Sequence, residues 1–367
     1  MKNSDCVKLT FTGDIMCTKN QIPAHKISDG YDFSGIFFGC KDFFSSSDYV
    51  IGNLETPIAN AKYCNHLINY NSPDSFAKAV KDCGIDMVTT ANNHCLDRGE
   101  SGLEDTINAL DSIGLKHTGT NLKNILPTGI IENFGEIKTG FLSYTYGTNA
   151  RFNKCFLNEN EKWKVNLLRE QETRKGNDSL FLKRMEEDIK ALKKEGADFL
   201  IMFLHTGGQY SPFPLKKTKR LADLIANMGV DAVIANHEHV IHNIEIKNDK
   251  IFAYSLGNFS SLFCVQSAPF IKLSDYSVLV NLYLSKNKNG DVKMSDATFA
   301  IAKTVKDGKN RVKTVLLYDL INQCCNKNEK NKLTKDNLKI HNRVSSRKEA
   351  KIELKREYSL KNSFTNM

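Results

Sequence analysis

The chain has 367 residues, long enough for one large domain or two ordinary ones with a substantial buried core. Apolar residues make up 41% and charged residues 25%, which excludes a wholly disordered chain; no run approaches the roughly 18 apolar residues of a membrane helix. The net charge is +9, but residues 325–367 hold twelve Lys/Arg against five Asp/Glu, so seven of the nine charges sit in the tail. The nearly balanced body argues against an extended nucleic-acid face.

Taken in chain order, Val7–Ile15 alternates and is rich in β-formers, which predicts a strand ending at Gly13-Asp14. Tyr49–Leu54 predicts a second strand, running into Glu55. Ser75–Cys83 reads as a helix stopped by Gly84, and Asp86–Ala91 as a third strand broken by Asn92-Asn93-His94. Gly102–Ile113 is a helix with Leu103, Ile107 and Leu110 on one face. Thr128–Tyr146 predicts a strand pair turning near Gly135-Glu136. The polar segment Asn149–Asp178 predicts a surface loop or lid. Leu180–Glu195 and Leu215–Met228 are amphipathic helices, each ended by a glycine. Between and after them, Asp198–Leu204 ends at His205, and Asp231–Ala235 ends in Asn236-His237-Glu238-His239. Ile244–Tyr254 predicts a hairpin, and Ser277–Leu284 and Ala297–Val305 late strands. Beyond about Leu320 the chain is rich in Lys and Asn, with a helix expected between Arg347 and Tyr358.

Alternating strands and helices predict an α/β protein, and the hairpins predict mixed sheets. The expected division is a catalytic domain over 5–318 and a basic, partly helical or disordered extension over 319–367. Ten cysteines are scattered without a CxxC pair, and Cys83 and Cys264 sit in apolar stretches. That pattern suits reduced thiols in a cytoplasmic protein. The N-terminus lacks an apolar h-region and a small-residue cleavage site, so no secretory signal is expected.

Ligands gather at the carboxyl ends of strands in open α/β sheets. Here those ends carry Asp14, then Asn53 and Glu55, then Asn92, Asn93 and His94, then His205, then His237 and His239. Carboxylates, amide oxygens and imidazoles together suit Zn, Mn or Fe rather than calcium. Each residue alone has a plainer reading: Asp14 as a turn cap, the asparagines in left-handed turns, His205 as a core histidine. His237-x-His239 is the most specific pair, since spacing two on extended chain puts both rings on one side. Five strand ends with ligand residues in one chain outweigh the plainer readings.

The motifs Thr12-Gly13-Asp14, Gly52-Asn53-Leu54-Glu55-Thr56-Pro57, Ala91-Asn92-Asn93-His94-Cys95-Leu96-Asp97, His205-Thr206-Gly207-Gly208-Gln209, Asn236-His237-Glu238-His239 and Ser255-Leu256-Gly257-Asn258-Phe259 occur in that order. Together they resemble the CapA family, the poly-γ-glutamate capsule synthesis proteins with a calcineurin-like metallophosphatase fold. The resemblance spans about residues 7–260. It implies a four-layer α/β/β/α sandwich of two mixed sheets holding one or two divalent metal ions (Mn, Fe or Zn). Carried over, Asp14 and His239 bind one metal, Asn93, His205 and His237 the second, and Glu55 bridges them. His94 protonates the leaving group, with Asp97 orienting it. Asn53, Asn92, Gln209, Ser255 and Asn258 line or brace the mouth. In the chemistry implied, a metal-bound water attacks a phosphoester or a γ-glutamyl amide.

The sequence departs from the metallophosphatase pattern at Met16, where Asp-x-His is usual, which leaves the first metal one imidazole short. Thr206 replaces a usual Trp, Gln209 a usual Glu, and Glu238 a usual Pro. The expected partners are a small-molecule or poly-γ-glutamate substrate and a capsule synthase, with no nucleic acid and no membrane span. The alternative is a non-catalytic accessory protein that binds an anionic polymer or a synthase, reaching the membrane only through that partner. No Walker-type GxxxxGK[ST] or dinucleotide fingerprint occurs, which sets aside a plain nucleotide binder.

Overall fold

In the computed structural model, which describes residues 6–18, 20–63, 69–169, 179–262, 273–309 and 311–361, the first half alternates strands and helices. Strands β1 (Cys6–Ile15), β2 (Tyr49–Leu54), β3 (Met87–Thr89) and β4 (Lys116–Thr118) are joined in part by helices α1 (Asp74–Asp82) and α2 (Gly99–Ser112). The chain then forms β5 (Ile130–Phe134), β6 (Ile137–Thr145), α3 (Ser179–Lys194), β7 (Phe199–His205), α4 (Lys216–Asn227), β8 (Ala232–Asn236), β9 (Ile244–Lys247) and β10 (Lys250–Ala253). It ends in β11 (Tyr276–Lys286), β12 (Val292–Lys306), β13 (Val312–Leu316), α5 (Leu317–Gln323), α6 (Lys327–Val344) and the short β14 (Tyr358–Ser359). The strand and helix expectations hold to within a few residues at each end as far as β12.

Two mixed sheets result. The first has the order β13-β12-β11-β1-β2-β3-β4, with β14 added on β12; β1 to β4 run parallel and the rest antiparallel. The second has the order β9-β10-β8-β7-β6-β5, parallel at its centre and antiparallel at both edges. Strands buried on both faces need no polar alternation, which is why β7 reads Phe-Leu-Ile-Met-Phe-Leu without a break.

One core lies between the sheets. Leu9, Phe11, Ile51 and Val280 of the first sheet meet Phe141, Ile201, Phe203 and Ile234 of the second. The Phe11 and Phe203 rings stand 5.8 Å apart there. Each such fully buried side chain stabilises the fold by about 1.5–3 kcal/mol. Val50, Val88 and Leu279 face outward onto Phe76, Val80 and Leu110, from α1 and α2. On the far side Leu142, Leu200, Met202 and Val233 pack on Met185, Ile189, Ala222 and Ile225, from α3 and α4. The layers are therefore α/β/β/α.

The C-terminal segment corrects one expectation, the place of its helix. Ahead of it, Leu317 and Ile321 of α5 join the core cluster of the two sheets. The helix lies at 327–344, not 347–358, and Leu333, Ile340 and Val344 join the same core. Residues 351–360 hold no helix: only Tyr358–Ser359 pair as a strand, while Ile352 and Leu354 pack against the core and Tyr358 and Leu360 are buried in it. Of the expected lid, 170–178 lie outside the described residues; 149–169 hold two single turns, at Ala150–Asn153 and Lys162–Lys164. Cys264 also lies outside them, and no disulfide joins the described cysteines.

Candidate metal centre

Parallel pairing brings the ends of neighbouring strands level. In register, Asp14 stands opposite Asn53, and His205 opposite Asn236, so the first carboxylate and the two histidine-bearing turns face each other across the gap between the sheets. The 255–259 segment closes one side. Asp14 N donates to Gly257 O at 2.9 Å, and Phe259 N donates to Asp14 O at 2.9 Å. A Cβ on Gly13 would lie 2.0 Å from Gly257 O, so only glycine permits this approach.

The donor atoms of Glu55, His205 and His237 lie within 4.8 Å of one another, as do those of Asp14, Glu55 and His239. Both clusters are buried, and Glu55 is common to both. His205 Nε2 stands 2.6 Å from Asn93 Oδ1, 3.1 Å from His237 Nδ1 and 3.3 Å from Glu55 Oε1. Asp14 Oδ2 is 3.1 Å from His239 Nδ1. Two ligands about 2.1 Å from one cation stand roughly 3 Å apart, so these spacings match converging ligands. His237 (φ +114°) and His239 (φ +57°) hold left-handed backbone that costs non-glycine residues about 1–3 kcal/mol each.

The electrostatics call for a cation. Asp14 and Glu55 are both 0% exposed, and neither oxygen of Glu55 accepts a hydrogen bond. Burial and the neighbouring Asp14 charge push the Glu55 carboxyl well above its ordinary value. Burial also raises Asp14, but His239, His205 and Asn53 outweigh it and hold Asp14 down. Burial pulls His205 down to about 4, and burial with the neighbouring His205 takes His237 well below the usual imidazole value. Both imidazoles are therefore neutral near pH 7, with lone pairs to offer. The donor set fits a divalent metal ion.

The remaining expected residues surround this cluster. Asn53 Nδ2 donates to Asp14 Oδ1 at 2.8 Å and lies 3.3 Å from His205 Nδ1. Asn92 Nδ2 donates to Leu54 O at 2.8 Å, and Asn258 Oδ1 stands 2.9 Å from His239 Nδ1. Ser255 Oγ accepts from Gly257 N at 3.4 Å. His94 Nε2 is 4.0 Å from Glu55 Oε1, and its Nδ1 is 2.6 Å from Asp97 Oδ2. The His94–Asp97 contact is made through a turn, because α2 starts only at Gly99. Gln209 is exposed on the 206–215 loop, and no hydrogen bond links it to the cluster.

Glu238, which replaces the usual Pro, is buried against Gly207, where a Cβ would come within 1.8 Å of Oε1, and lies 3.9 Å from His242 Nδ1; it belongs to neither ligand cluster. Three tyrosines escaped the sequence reading. Tyr70 meets His94 edge-on at 4.5 Å, Tyr146 packs on His237 at 4.8 Å, and Tyr210 lies 5.7 Å from His239. Nothing in their local sequence marks them, since the contacts are made across the fold. Met16 is buried, its backbone N–H and C=O both bonded to Ser260 Oγ at 2.8 Å. Among the described residues the Asp14 cluster holds one imidazole, that of His239.

The chain is thus a two-sheet α/β sandwich with a buried His/carboxylate cluster at its strand ends. More particularly, the chain belongs to the bacterial capsule synthesis protein family PGA_cap, whose family model matches residues 8–262. It is 27% identical over 271 residues to the capsule biosynthesis protein CapA of Bacillus anthracis, a match covering 71% of this chain and 61% of that one. It is 26% identical over 321 residues to the PGA biosynthesis protein CapA of Bacillus subtilis, covering 86% and 78%. Among solved structures it is similar to the calcineurin-like phosphoesterase YfkN from Bacillus subtilis, at 15% identity and a TM-score of 0.45 over 81% of this chain and 90% of that one. No helix among the described residues is long and apolar enough to cross a membrane.

Proposed function

We propose that the protein is a metal-dependent hydrolase of capsule synthesis, acting on a phosphoester or a γ-glutamyl amide of the poly-γ-glutamate system. The observation that carries this is Glu55: one buried carboxylate shared by two ligand clusters. Asp14 and His239 would hold one divalent ion and Asn93, His205 and His237 the other, with Glu55 between. Ions so held supply an activated water and neutralise charge developing on the substrate.

The chain's own residues do the rest. Asp97 Oδ2 fixes His94 by its Nδ1, which leaves Nε2 facing Glu55 and the cluster. Burial pulls the His94 imidazole down, but the adjacent Asp97 carboxylate outweighs it and keeps the ring above its ordinary value. A proton on Nε2 is therefore available to the leaving group. Asn53 and Asn258 brace Asp14 and His239, and Tyr70, packed on the His94 ring, helps exclude water.

A second reading is favoured by Met16, which leaves the Asp14 cluster with a single imidazole: a non-catalytic accessory protein that binds an anionic polymer or a synthase. Metal content of wild type and His237→Ala, purified without chelator, separates the two when combined with turnover of bis-p-nitrophenyl phosphate and γ-glutamyl p-nitroanilide. Near two equivalents of Mn, Fe or Zn, lost in the variant together with turnover of one substrate, is the expected result. A well-folded wild type that takes up no metal and turns over neither compound would favour the accessory role.

A further inference from the structure

A cavity of about 730 Å³ lies between α6 and the β11–β12 pair, lined by Leu273, Tyr276, Lys303, Lys332, Lys339 and Arg343, among others. A shallower depression continues from it over α6, sharing Lys332 and Lys339 and adding Lys335. Positions 332, 335, 339 and 343 recur every three to four residues, so they form one stripe, with successive positions about 4.5–6 Å apart along the axis.

Charge in the cavity is unevenly matched. Lys303 pairs with Asp275 and caps the Tyr276 ring 3.8 Å from its centroid. Lys339 reaches Asp336 at 3.2 Å; the lysine is exposed, whereas the carboxylate is buried and also accepts from the Tyr276 hydroxyl at 3.1 Å. Lys332, Lys335 and Arg343 have no carboxylate partner among the described residues. Arg343 is half-buried, and its one hydrogen bond, to Ile241 O, is 3.5 Å long. A desolvated guanidinium without an anion is costly unless an anion arrives to pair with it.

We propose that this cavity and the α6 stripe bind an acidic chain bearing regularly spaced carboxylates, with Arg343 taking one carboxylate in the cavity and Lys332, Lys335 and Lys339 meeting the next ones along the helix. A single-stranded nucleic acid fits less well, because it needs open aromatic faces for its bases and Lys303 already covers the one aromatic ring of the lining. Binding here uses no residue of the metal centre and does not depend on the hydrolase reading. Ile241, however, follows His239 by two residues, and Ser274, beside Leu273, accepts from Asn258 Nδ2 at 3.1 Å. A chain held in the cavity therefore runs close behind one wall of the cluster.

The test is fluorescence anisotropy of the full chain with fluorescein-labelled decaglutamate, α- and γ-linked, and with a labelled single-stranded DNA of equal charge. Wild type binds at least one decaglutamate, and EDTA treatment leaves that affinity within twofold. Lys332→Glu/Lys335→Glu weakens it at least tenfold, and Arg343→Met does likewise. Both lysines are exposed, so the double variant keeps its thermal unfolding profile and carries the test if Arg343→Met fails to fold. Three outcomes overturn the proposal: no decaglutamate binding by wild type, equal binding by the double variant, or DNA binding as tightly as decaglutamate. Abolition by EDTA overturns it too, by placing the anion on the metal centre.

Discussion

The Nδ1 of His94 lies 2.6 Å from Asp97 Oδ2, and the same carboxylate oxygen accepts from Tyr70 N at 2.7 Å. Asp97 thus ties the ring to the backbone beside it and fixes which nitrogen faces Glu55. Asp97→Asn keeps the shape but removes the charge and the tautomer preference. The expected result is a kcat lowered about 10–100-fold, with KM and metal content little changed. Steady-state kinetics with elemental analysis checks this; equal loss of metal and activity would reassign Asp97 to the cluster's assembly.

Glu55 places a second buried carboxyl beside Asp14 with no hydrogen-bond donor of its own. Without metal that arrangement destabilises the fold; with metal it stabilises it. Metal-free Glu55→Gln is therefore expected to be more stable than metal-free wild type by about 1–3 kcal/mol. With saturating Mn²⁺ the order reverses, because wild type alone gains the full binding free energy. Thermal unfolding in EDTA and in Mn²⁺ reads both halves. Equal Mn²⁺ shifts for the two proteins would show that Glu55 does not bridge.

Away from the site, Glu245 on β9 makes an acid-sensitive contact at the second sheet's edge. Burial pushes its carboxyl up, but Lys219, Lys247 and the Tyr254 hydroxyl outweigh this and hold it at about 2. Because the folded value lies below the ordinary 4.5, the stability Glu245 contributes is whole above pH 4.5. It is lost as pH falls toward about 2. Lys219→Met should destabilise the protein most at pH 7 and progressively less as pH falls through that window, which flattens the stability profile. Urea unfolding at pH 3 and pH 7 measures the difference, and parallel profiles would contradict the assignment.

Ile340 is 0% exposed on α6, in the same core as Phe299 and Tyr358. Ile340→Ala should cost about 2–4 kcal/mol, as for a large side chain lost from a central core. An exposed control on the same helix, Lys330→Ala, should change stability by less than about 0.5 kcal/mol. Near-neutral behaviour of Ile340→Ala in urea unfolding would mean that the segment after 326 is not part of the cooperative unit.

The contrast between those positions shows where sequence reading worked. Strand ends carrying Asp14, Glu55, His205 and His237 were legible because short strands and their terminal polar residues are local signals. The α/β class with mixed sheets was legible from alternating strands and helices, whereas the two-sheet sandwich came only from the resemblance carried by the ordered motifs. Helix α6 was not legible. Its inward stripe includes Asp336 and Asn337, which bond the hydroxyls of Tyr276 and Tyr358 at 3.1 and 2.8 Å. Those partners come from distant strands, so the stripe looked polar and the apolar period was hidden. The same limit hid the ring contacts of Tyr146 and Tyr210 with the histidines.

The pairing of β1 with β11, Cys6 opposite Ser285 and Phe11 opposite Val280, sets an order of events during synthesis. The strand that delivers Asp14 leaves the ribosome well before β11, the neighbour made more than 260 residues later. At 5–20 residues per second that is a wait of roughly 15–50 s. During it, one edge of an apolar strand stays open to other nascent chains or to chaperones. A burst of newly made protein should therefore aggregate through its N-terminal strand, and slower initiation should raise the yield of folded chain more than added metal does.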